Sequence, residues 1–187
     1  AEPGLRLAAV VAGDTTKVRP DLPGRRARPD TAAVLADPTI DLIVIATPND
    51  SHAPLAHAAI DAGKALVVDK PLALTLAEAR RIAAHAKELG TLLSVFHNRR
   101  WDGDFLTIQQ AIATGLIGKV AHFESHFDRF RPTVRNRWRE TPGPGSGVWA
   151  DLGPHLVDQA LCLFGIPTRV TASLGALRDG AQTDDWA

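Results

Sequence analysis

Three successive strand and helix units between residues 41 and 114 limit the possible folds of this chain more than any other feature. Residues 41–46 form a continuous apolar, β-branched run without alternation, which is typical of a strand buried on both faces. Residues 65–68 and 91–96 repeat that pattern. The helices predicted after these strands cover residues 52–62, 75–90 and 104–114. Because parallel strands require crossover connections, which are almost always right-handed, the pattern predicts a doubly wound parallel sheet.

Side chains with capping chemistry stand at the predicted helix ends. Thr75 and Glu78 have the spacing of a capping box, and Gly90 stops the helix that they open. Residues 47–51 supply N-cap side chains for the helix that begins near His52. The remaining N-terminal elements are predicted as a strand over 5–12 and a short helix over 31–36.

The sequence changes character after residue 114. Residues 119–128 alternate between polar and apolar side chains, which predicts a half-exposed strand of an antiparallel sheet. A further strand is predicted over 169–177, after a helix that Gly165 terminates. We therefore expect an α/β domain over residues 1–99 and an α+β domain with a largely antiparallel sheet over residues 100–187.

Composition excludes several classes of protein. Lys and Arg together number 21, as do Asp and Glu, so no overall field attracts nucleic acid or an anionic membrane. No apolar run approaches the roughly 18 residues of a spanning helix, and no signal-peptide pattern opens the chain, so we expect a cytoplasmic protein. The single cysteine, Cys162, stands in an apolar stretch and is predicted to be a small buried residue.

Polar clusters follow each of the central predicted strands. Ligands of such sheets gather at the carboxyl ends of the strands, where these clusters should converge on one crevice. Lys70 comes directly between a strand and a proline, so a partly desolvated ammonium could donate a hydrogen bond to a substrate oxygen. The alternative is a surface lysine that happens to flank a strand. The clusters are Thr47-Pro48-Asn49, Asp69-Lys70-Pro71 and His97-Asn98-Arg99.

A second candidate group lies at Asp151 and His155, which are four residues apart. Pro154 suits the first position of a helix and Gly153 its cap, so His155 is predicted in the first helical turn. A helix N-terminus disfavours a charged imidazolium, and a neutral imidazole beside a carboxylate suits a general base. The alternative is a capping aspartate beside a half-buried histidine. Two groups without a third are weak evidence for zinc, so no metal is predicted.

Taken together, the chain resembles the glucose-fructose oxidoreductase, inositol dehydrogenase and rhizopine catabolism (Gfo/Idh/MocA) family of NAD(P)-dependent oxidoreductases. The likeness covers nearly the whole chain, and it rests on four motifs in the order of the family. These motifs are Ala46-Thr47-Pro48-Asn49-Asp50-Ser51-His52, Asp69-Lys70-Pro71, His97-Asn98-Arg99-Arg100-Trp101-Asp102-Gly103-Asp104-Phe105, and Asp151-Leu152-Gly153-Pro154-His155-Leu156-Val157-Asp158-Gln159.

The resemblance implies a role for each matching residue. Lys70 would be the active-site lysine, Asp151 the site's aspartate and His155 the catalytic histidine. The residues assigned to the dinucleotide are Thr47, Pro48, Asn49, His52, Asp69, Lys70, Asn98, Arg99 and Trp138. Asp14, which follows the strand that would lie near the ribose, is added because an acid there suits the 2′-hydroxyl of NAD. Lys17 nearby would suit a 2′-phosphate instead, and we favour NAD over NADP.

The chain departs from the family pattern in two respects. Asp69 stands where the family usually has glutamate, which leaves the lysine in place. The first strand and glycine-rich turn of the Rossmann-type domain are missing, as is part of the C-terminal sheet, so we expect a chain truncated at both ends. A start at Ala1 and the absence of methionine agree with this expectation.

These features predict hydride transfer between a nicotinamide cofactor and a sugar, polyol or inositol-like carbinol. The expected partners are that small substrate and further copies of the chain, which would form a dimer or larger homo-oligomer through the C-terminal sheet. Two alternatives stay open: a dinucleotide-binding sensor without catalysis, and an enzyme that uses bound NAD for redox-neutral glycoside cleavage. The basic segment around Trp138 could bind single-stranded nucleic acid, but the zero net charge argues against that partner.

Overall fold

The computed structural model describes residues 4–12, 27–28 and 30–187 of the chain. It divides into two compact units, Ala1–Ser94 and Val95–Ala187, which we call the first and the second unit. The boundary predicted from sequence, between residues 99 and 100, falls a few residues further along the chain.

The first unit alternates strands and helices as expected, with element bounds close to the predicted ones. Its strands are β1 (Val10–Val11), β2 (Ala27–Arg28), β3 (Leu42–Ile45), β4 (Ala65–Asp69) and β5 (Leu93–Phe96), and its helices are α1 (Thr31–Leu35), α2 (His52–Asp61) and α3 (Leu76–Glu88). The predicted strand over 5–12 is reduced to the two residues of β1, which pair in parallel with β2.

The central sheet has the strand order β3-β4-β5. β3 and β4 are parallel, with Leu42 opposite Ala65 and Ile45 opposite Val68. The Leu66 N–H donates to the Leu92 carbonyl at 2.9 Å, which ties β4 to the entry of β5. The Rossmann-type parallel sheet predicted from the apolar runs is therefore present.

One face of this sheet carries the core of the first unit. Ala56 and Ala59 of α2 are fully buried, and their small side chains let the helix backbone approach Leu66 and Val68 closely. Ile82 of α3 completes the cluster. Burying side chains of the size of Leu or Ile contributes roughly 1.5–3 kcal/mol each, which makes this cluster the main source of stability in the unit.

The opposite face of the sheet does not match the sequence prediction. The unbroken apolar run of β3 predicted burial on both faces, yet the Val44 side chain is 66% exposed. Leu42 of β3 and Val67 of β4, which share this face with Val44, are only half-buried. Burial on this side was therefore predicted wrongly for the described part of the chain.

The helix caps of the first unit agree with the sequence in one case and differ in the other. The Thr75 Oγ1 accepts the Glu78 N–H at 3.2 Å, which confirms the capping interaction at the start of α3. Ser51 precedes α2 but makes no side-chain cap bond. Its hydroxyl instead contacts the Thr47 hydroxyl and donates to the Pro48 carbonyl, each at 2.6 Å. Ser51 therefore stabilises the turn before α2 and does not cap the helix.

The second unit contains two long helices, α4 (Gly103–Ala113) and α5 (Gly147–Phe164). Short 3₁₀ turns cover Asn98–Trp101 and Trp138–Glu140. α5 ends at Gly165, where φ is +76°, so the glycine stop is confirmed.

The strands predicted over 119–128 and 169–177 are not formed. Among the described residues of the second unit, the antiparallel pairing is confined to a single bridge between Gly175 and Trp186. Alternation shows which face a strand would bury, but a strand also requires a neighbour to accept its backbone hydrogen bonds. Residues 119–128 contact no such neighbour in the described part of the chain, although Phe123 packs edge-on against Phe164.

The start of α5 also differs from the prediction. The helix begins at Gly147, and Pro154 lies inside it rather than at its first position. Its first turn is fixed from a distant segment, because the Asp184 carbonyl accepts the Val148 N–H and the Asp184 carboxylate accepts the Trp149 N–H. His155 is consequently a mid-helix residue, and its predicted position in the first helical turn was wrong.

The burial of Cys162 and the absence of a membrane-spanning helix were also predicted from the sequence. Cys162 is exposed, not buried, because the apolar residues around it at the end of α5 are themselves largely uncovered. No helix of the described residues is long and apolar enough to cross a membrane.

Candidate active site

The turn that carries Lys70 is held by its own side chains and by a buried histidine. Lys70 follows the last residue of β4 directly, and its side chain is half-buried. The Asp69 carboxylate accepts the Lys70 N–H at 2.8 Å, and the Lys70–Pro71 peptide bond is cis. The bond to Asp69 thus holds the backbone N–H of the lysine at the end of β4.

His52 joins this turn to the neighbouring one. Its ring is almost fully buried, with Nδ1 2.7 Å from the Pro71 carbonyl and Nε2 2.9 Å from the Thr47 carbonyl. Each ring nitrogen lies within hydrogen-bond distance of a protein carbonyl, so His52 connects the turn after β3 to the turn after β4.

The two turns lie at one edge of the sheet. β3 and β4 are parallel neighbours in register, so the residues that follow them leave the sheet on the same side. Thr47 and Pro48 are exposed there, and Asn49 is half-buried. This is the edge at which open parallel sheets bind ligands.

A row of polar side chains runs along one face of α5. Asp151, His155, Asp158 and Gln159 are spaced by three or four residues, which places them on neighbouring turns of the same face. His155 and Gln159 are buried, whereas Asp151 and Asp158 are half-buried. Asp158 and Gln159 had been assigned no role from the sequence, although their helical spacing from His155 could have identified them.

Asp158 is held in its charged form. Arg100 donates to both carboxylate oxygens, from Nε at 2.8 Å and from Nη2 at 2.6 Å. Burial is the largest single influence on the Asp158 carboxyl and raises its pKa, yet the hydrogen bond and the charge of Arg100, together with the neighbouring histidines, outweigh burial and lower the pKa. The charges of His97 and His155 act in the same direction. A permanent negative charge therefore stands beside the catalytic candidate.

The segment after β5 is tied to α5 through its backbone and its arginines. The Gln159 amide donates to the Arg99 carbonyl at 3.0 Å. The Arg99 guanidinium stacks over the Phe127 ring at 4.9 Å and bonds Asp102 through Nη1, while its buried Nε has no hydrogen-bond partner in the described part of the chain. Asn98 is exposed. Arg99 thus keeps one inward-facing donor available.

Asp151 lies next to a basic segment. Its carboxylate oxygen is 3.3 Å from the Arg139 Nε, and the Arg139 guanidinium stacks on the Trp138 ring at 4.4 Å. The Trp138 side chain is partly exposed. The assigned Asp14 lies outside the described residues, so its position stays a prediction.

Two family models match the chain, one on each unit. Residues 1–97 match the oxidoreductase family with an NAD-binding Rossmann fold, and residues 105–187 match the GFO/IDH/MocA C-terminal domain. The chain belongs to the Gfo/Idh/MocA family of oxidoreductases. Membership confirms the resemblance inferred from the four sequence motifs.

Individual relatives support this assignment over almost the whole chain. The oxidoreductase YdgJ of Escherichia coli is 58% identical over 98% of this chain. The scyllo-inositol 2-dehydrogenase (NADP(+)) IolW of Bacillus subtilis is 39% identical over 97% of it. The solved structure of the oxidoreductase YPO2259 from Yersinia pestis superposes with a TM-score of 0.91 at 54% identity over 98% of the chain.

These Gfo/Idh/MocA relatives are longer than the sequence described here. The matched region is 53% of YdgJ, 51% of IolW and 52% of the YPO2259 chain. The chain thus spans about half the length of the family members that it matches.

Proposed function

We propose that the protein containing this chain is an NAD(P)-dependent oxidoreductase that transfers hydride between the nicotinamide and a sugar, polyol or inositol-like carbinol. The observation that carries the proposal is the polar row on α5, in which buried His155 stands between Asp151 and the ionised Asp158. Family membership supports the dinucleotide, and the inositol dehydrogenase IolW at 39% identity supports a carbinol substrate.

His155 would take the hydroxyl proton when the carbinol is oxidised. A general base must accept a proton and carry the resulting charge without large cost. The Asp158 carboxylate supplies a compensating negative charge, because its pKa is lowered and His155 is one of the positive groups that act on it. Asp151, one turn away, would orient the substrate or the imidazole.

Lys70 would hold and polarise the carbinol oxygen. Its side chain is half-buried, and Asp69 holds the backbone N–H from which the side chain extends. A partly desolvated ammonium is a strong hydrogen-bond donor to a developing alkoxide.

The residues present are compatible with a bound dinucleotide. Polar residues leave β3 and β4 at the edge where such sheets bind nucleotides, and the buried Arg99 Nε offers an unused donor. When bound, the nicotinamide would supply the hydride acceptor. The residues of this chain proposed to hold it are Thr47, Pro48, Asn49, His52, Asp69, Lys70, Asn98, Arg99 and Trp138, with NAD favoured over NADP.

The assignment is tested by two paired substitutions in the intact protein. Lys70→Ala and His155→Asn should each reduce turnover by roughly 10²-fold or more, because each removes a group proposed to touch the reacting oxygen. The matched controls are Lys87→Ala and His122→Asn, which alter exposed residues of the same types. Unchanged turnover in either Lys70→Ala or His155→Asn would refute that residue's role.

A substrate panel separates the proposed activity from its alternatives. Sugars and inositols are offered with NAD and with NADP, and reduced nicotinamide is followed by its absorbance. Net reduction supports the dehydrogenase. Product without net reduction indicates redox-neutral chemistry, and cofactor binding without product indicates a sensor.

A further inference from the structure

A cavity of about 350 Å³ lies within the second unit. It opens to solvent and is lined by residues from three segments that are distant in sequence, at 127–140, 147–152 and 177–186. Phe127 and Trp186 contribute apolar walls. Its volume lies at the lower end of the range of ligand pockets, roughly 300–1,000 Å³, and suits a molecule the size of a monosaccharide.

The lining of this cavity is rich in charge. The guanidinium groups that line it belong to Arg129, Arg131, Arg137, Arg139 and Arg178, and the carboxylates belong to Glu140, Asp151, Asp184 and Asp185. Whether the cavity attracts an anion depends on which of these charges are already neutralised by a neighbour.

The carboxylates of the lining are engaged by protein groups. Glu140 is buried and accepts bonds from the Arg137 Nε at 2.7 Å and the Arg135 N–H at 2.8 Å. Asp185 accepts the Arg178 Nε at 2.8 Å and two backbone N–H groups. Asp151 pairs with Arg139. The Asp184 carboxylate accepts the Trp149 N–H, a backbone group without formal charge, so one negative charge of the lining offsets part of its positive charge.

Two arginines of the lining form no ion pair with a carboxylate of the described residues. Within residues 4–12 and 30–187, no carboxylate forms an ion pair with Arg129 or Arg131, whereas Arg137 and Arg139 each have one such partner and Arg178 has two. Arg131 is half-buried, so its guanidinium is only partly hydrated. Desolvation and the charges of Arg129, Arg137 and Arg135 lower its pKa, and they outweigh the opposing charge of Glu140. A bound anion would relieve this repulsion.

We propose that the cavity binds a carboxylate or phosphate group of a small molecule through Arg131, with Arg129 beside it. A guanidinium presents two parallel N–H donors that match the oxygens of either group. Because Asp151 lines the same cavity, the source expected is an acidic or phosphorylated sugar or polyol. The other molecule that could supply the bound anionic group is the cofactor, through one of its phosphates.

The binding site goes beyond the proposed hydride transfer and is tested without turnover. Calorimetry on the intact protein measures the Kd of inorganic phosphate, of glucuronate and of its neutral counterpart glucose. Glucuronate should bind more tightly than glucose, and more weakly as salt is raised. Arg131→Gln should weaken glucuronate and phosphate by about 10-fold or more, because it removes a charge-assisted pair of bonds. Arg131→Lys should retain part of the affinity.

Arg169→Gln is the matched control. Arg169 is exposed, does not line the cavity and is not among the charges that act on Arg131, so its loss should change these Kd values by less than about 2-fold. Parallel titrations with NAD and NADP separate the sources. Loss of NADP affinity alone in Arg131→Gln would support the anion site with the cofactor as its source.

Equal binding of phosphate, glucuronate and NADP by the unaltered protein and by Arg131→Gln overturns the proposal. Equal weakening by Arg169→Gln overturns it too, since the effect would then be one of overall charge. Turnover of neutral polyols with no anion binding would sink this inference and leave the proposed function standing. Anion binding without any hydride transfer would support this inference and refute the proposed function.

Discussion

The main helices of the two units begin in different ways. In the first unit, α3 is capped by Thr75, which accepts the Glu78 N–H only three residues along the chain. In the second unit, α5 starts at Gly147, and its first turn is capped by Asp184, 35 residues from the Trp149 N–H that it accepts. The cap of α3 can be recognised from neighbouring residues in the sequence, whereas the cap of α5 cannot.

The same contrast holds for what stabilises each unit. The first unit is organised around an apolar cluster of α2, α3, β3 and β4. The second unit contains a network of charged groups, in which Arg178 bridges Glu140 and Asp185. Apolar burial follows from the composition of neighbouring elements, whereas an ion network depends on segments that only the fold brings together.

Removing a core side chain should affect the first unit most. Leu66 is fully buried in β4, and Leu66→Ala is expected to cost roughly 2–5 kcal/mol because it leaves a cavity that the sheet cannot close. Hydrogen exchange on the intact protein measures the loss for each unit separately. Leu76→Ala is the control, since that side chain is 65% exposed and its removal should cost less than about 0.5 kcal/mol. A similar loss in both variants would contradict the assigned core.

Breaking the charged network should affect the second unit. Glu140→Gln keeps the size of the side chain but removes the charge that Arg137 and Arg178 share, and we expect a cost of about 1–3 kcal/mol. Exchange protection should fall around residues 135–140 and 178–185. Glu124→Gln, at an exposed carboxylate of the same unit, should have little effect. If both changes are neutral, the network does not stabilise the unit.

Acidification should weaken the second unit before the first. The backbone hydrogen bond from Arg135 lowers the pKa of Glu140, and hydrogen bonds lower that of Asp185 despite its burial. Because both folded-state pKa values lie below the ordinary ones, 4.5 and 3.8, the stabilisation is present above those values and is lost as pH falls through the folded-state pKa values. The apolar core of the first unit does not titrate. Simultaneous loss of exchange protection in both units during an acid titration would argue against this order.

The smallest effects are expected at the two helix caps. Thr75→Ala and Asp184→Ala should each cost about 1 kcal/mol, because each leaves a backbone N–H without its acceptor. Thr75→Ala should change exchange only at the start of α3. Asp184→Ala should expose both the start of α5 and the segment around residue 184. Thr171→Ala, at an exposed residue outside the helices, serves as the control. A purely local effect of Asp184→Ala would show that the remote cap is dispensable.

The candidate site was predictable in part. Lys70, Asp151 and His155 were named from motif order and from their places next to a strand and on a helix. The surroundings of His155 could not be predicted, because they depend on the contact between Arg100 and Asp158, which are 58 residues apart in sequence. The cavity is likewise assembled from three separate segments. Spacing within a motif reports neighbours on one element and is silent about contacts between elements.

The order of strands and helices from β3 to α4, the capping of α3 and the parallel sheet could be read from the amino-acid sequence. These features depend on periodicity and on side chains within a few residues of one another. The start of α5, the mid-helix position of His155 and the lack of a strand over residues 119–128 became visible in the folded chain. A helix start can be capped, and a strand paired, by groups at any distance along the chain, so nearby residues do not predict these features.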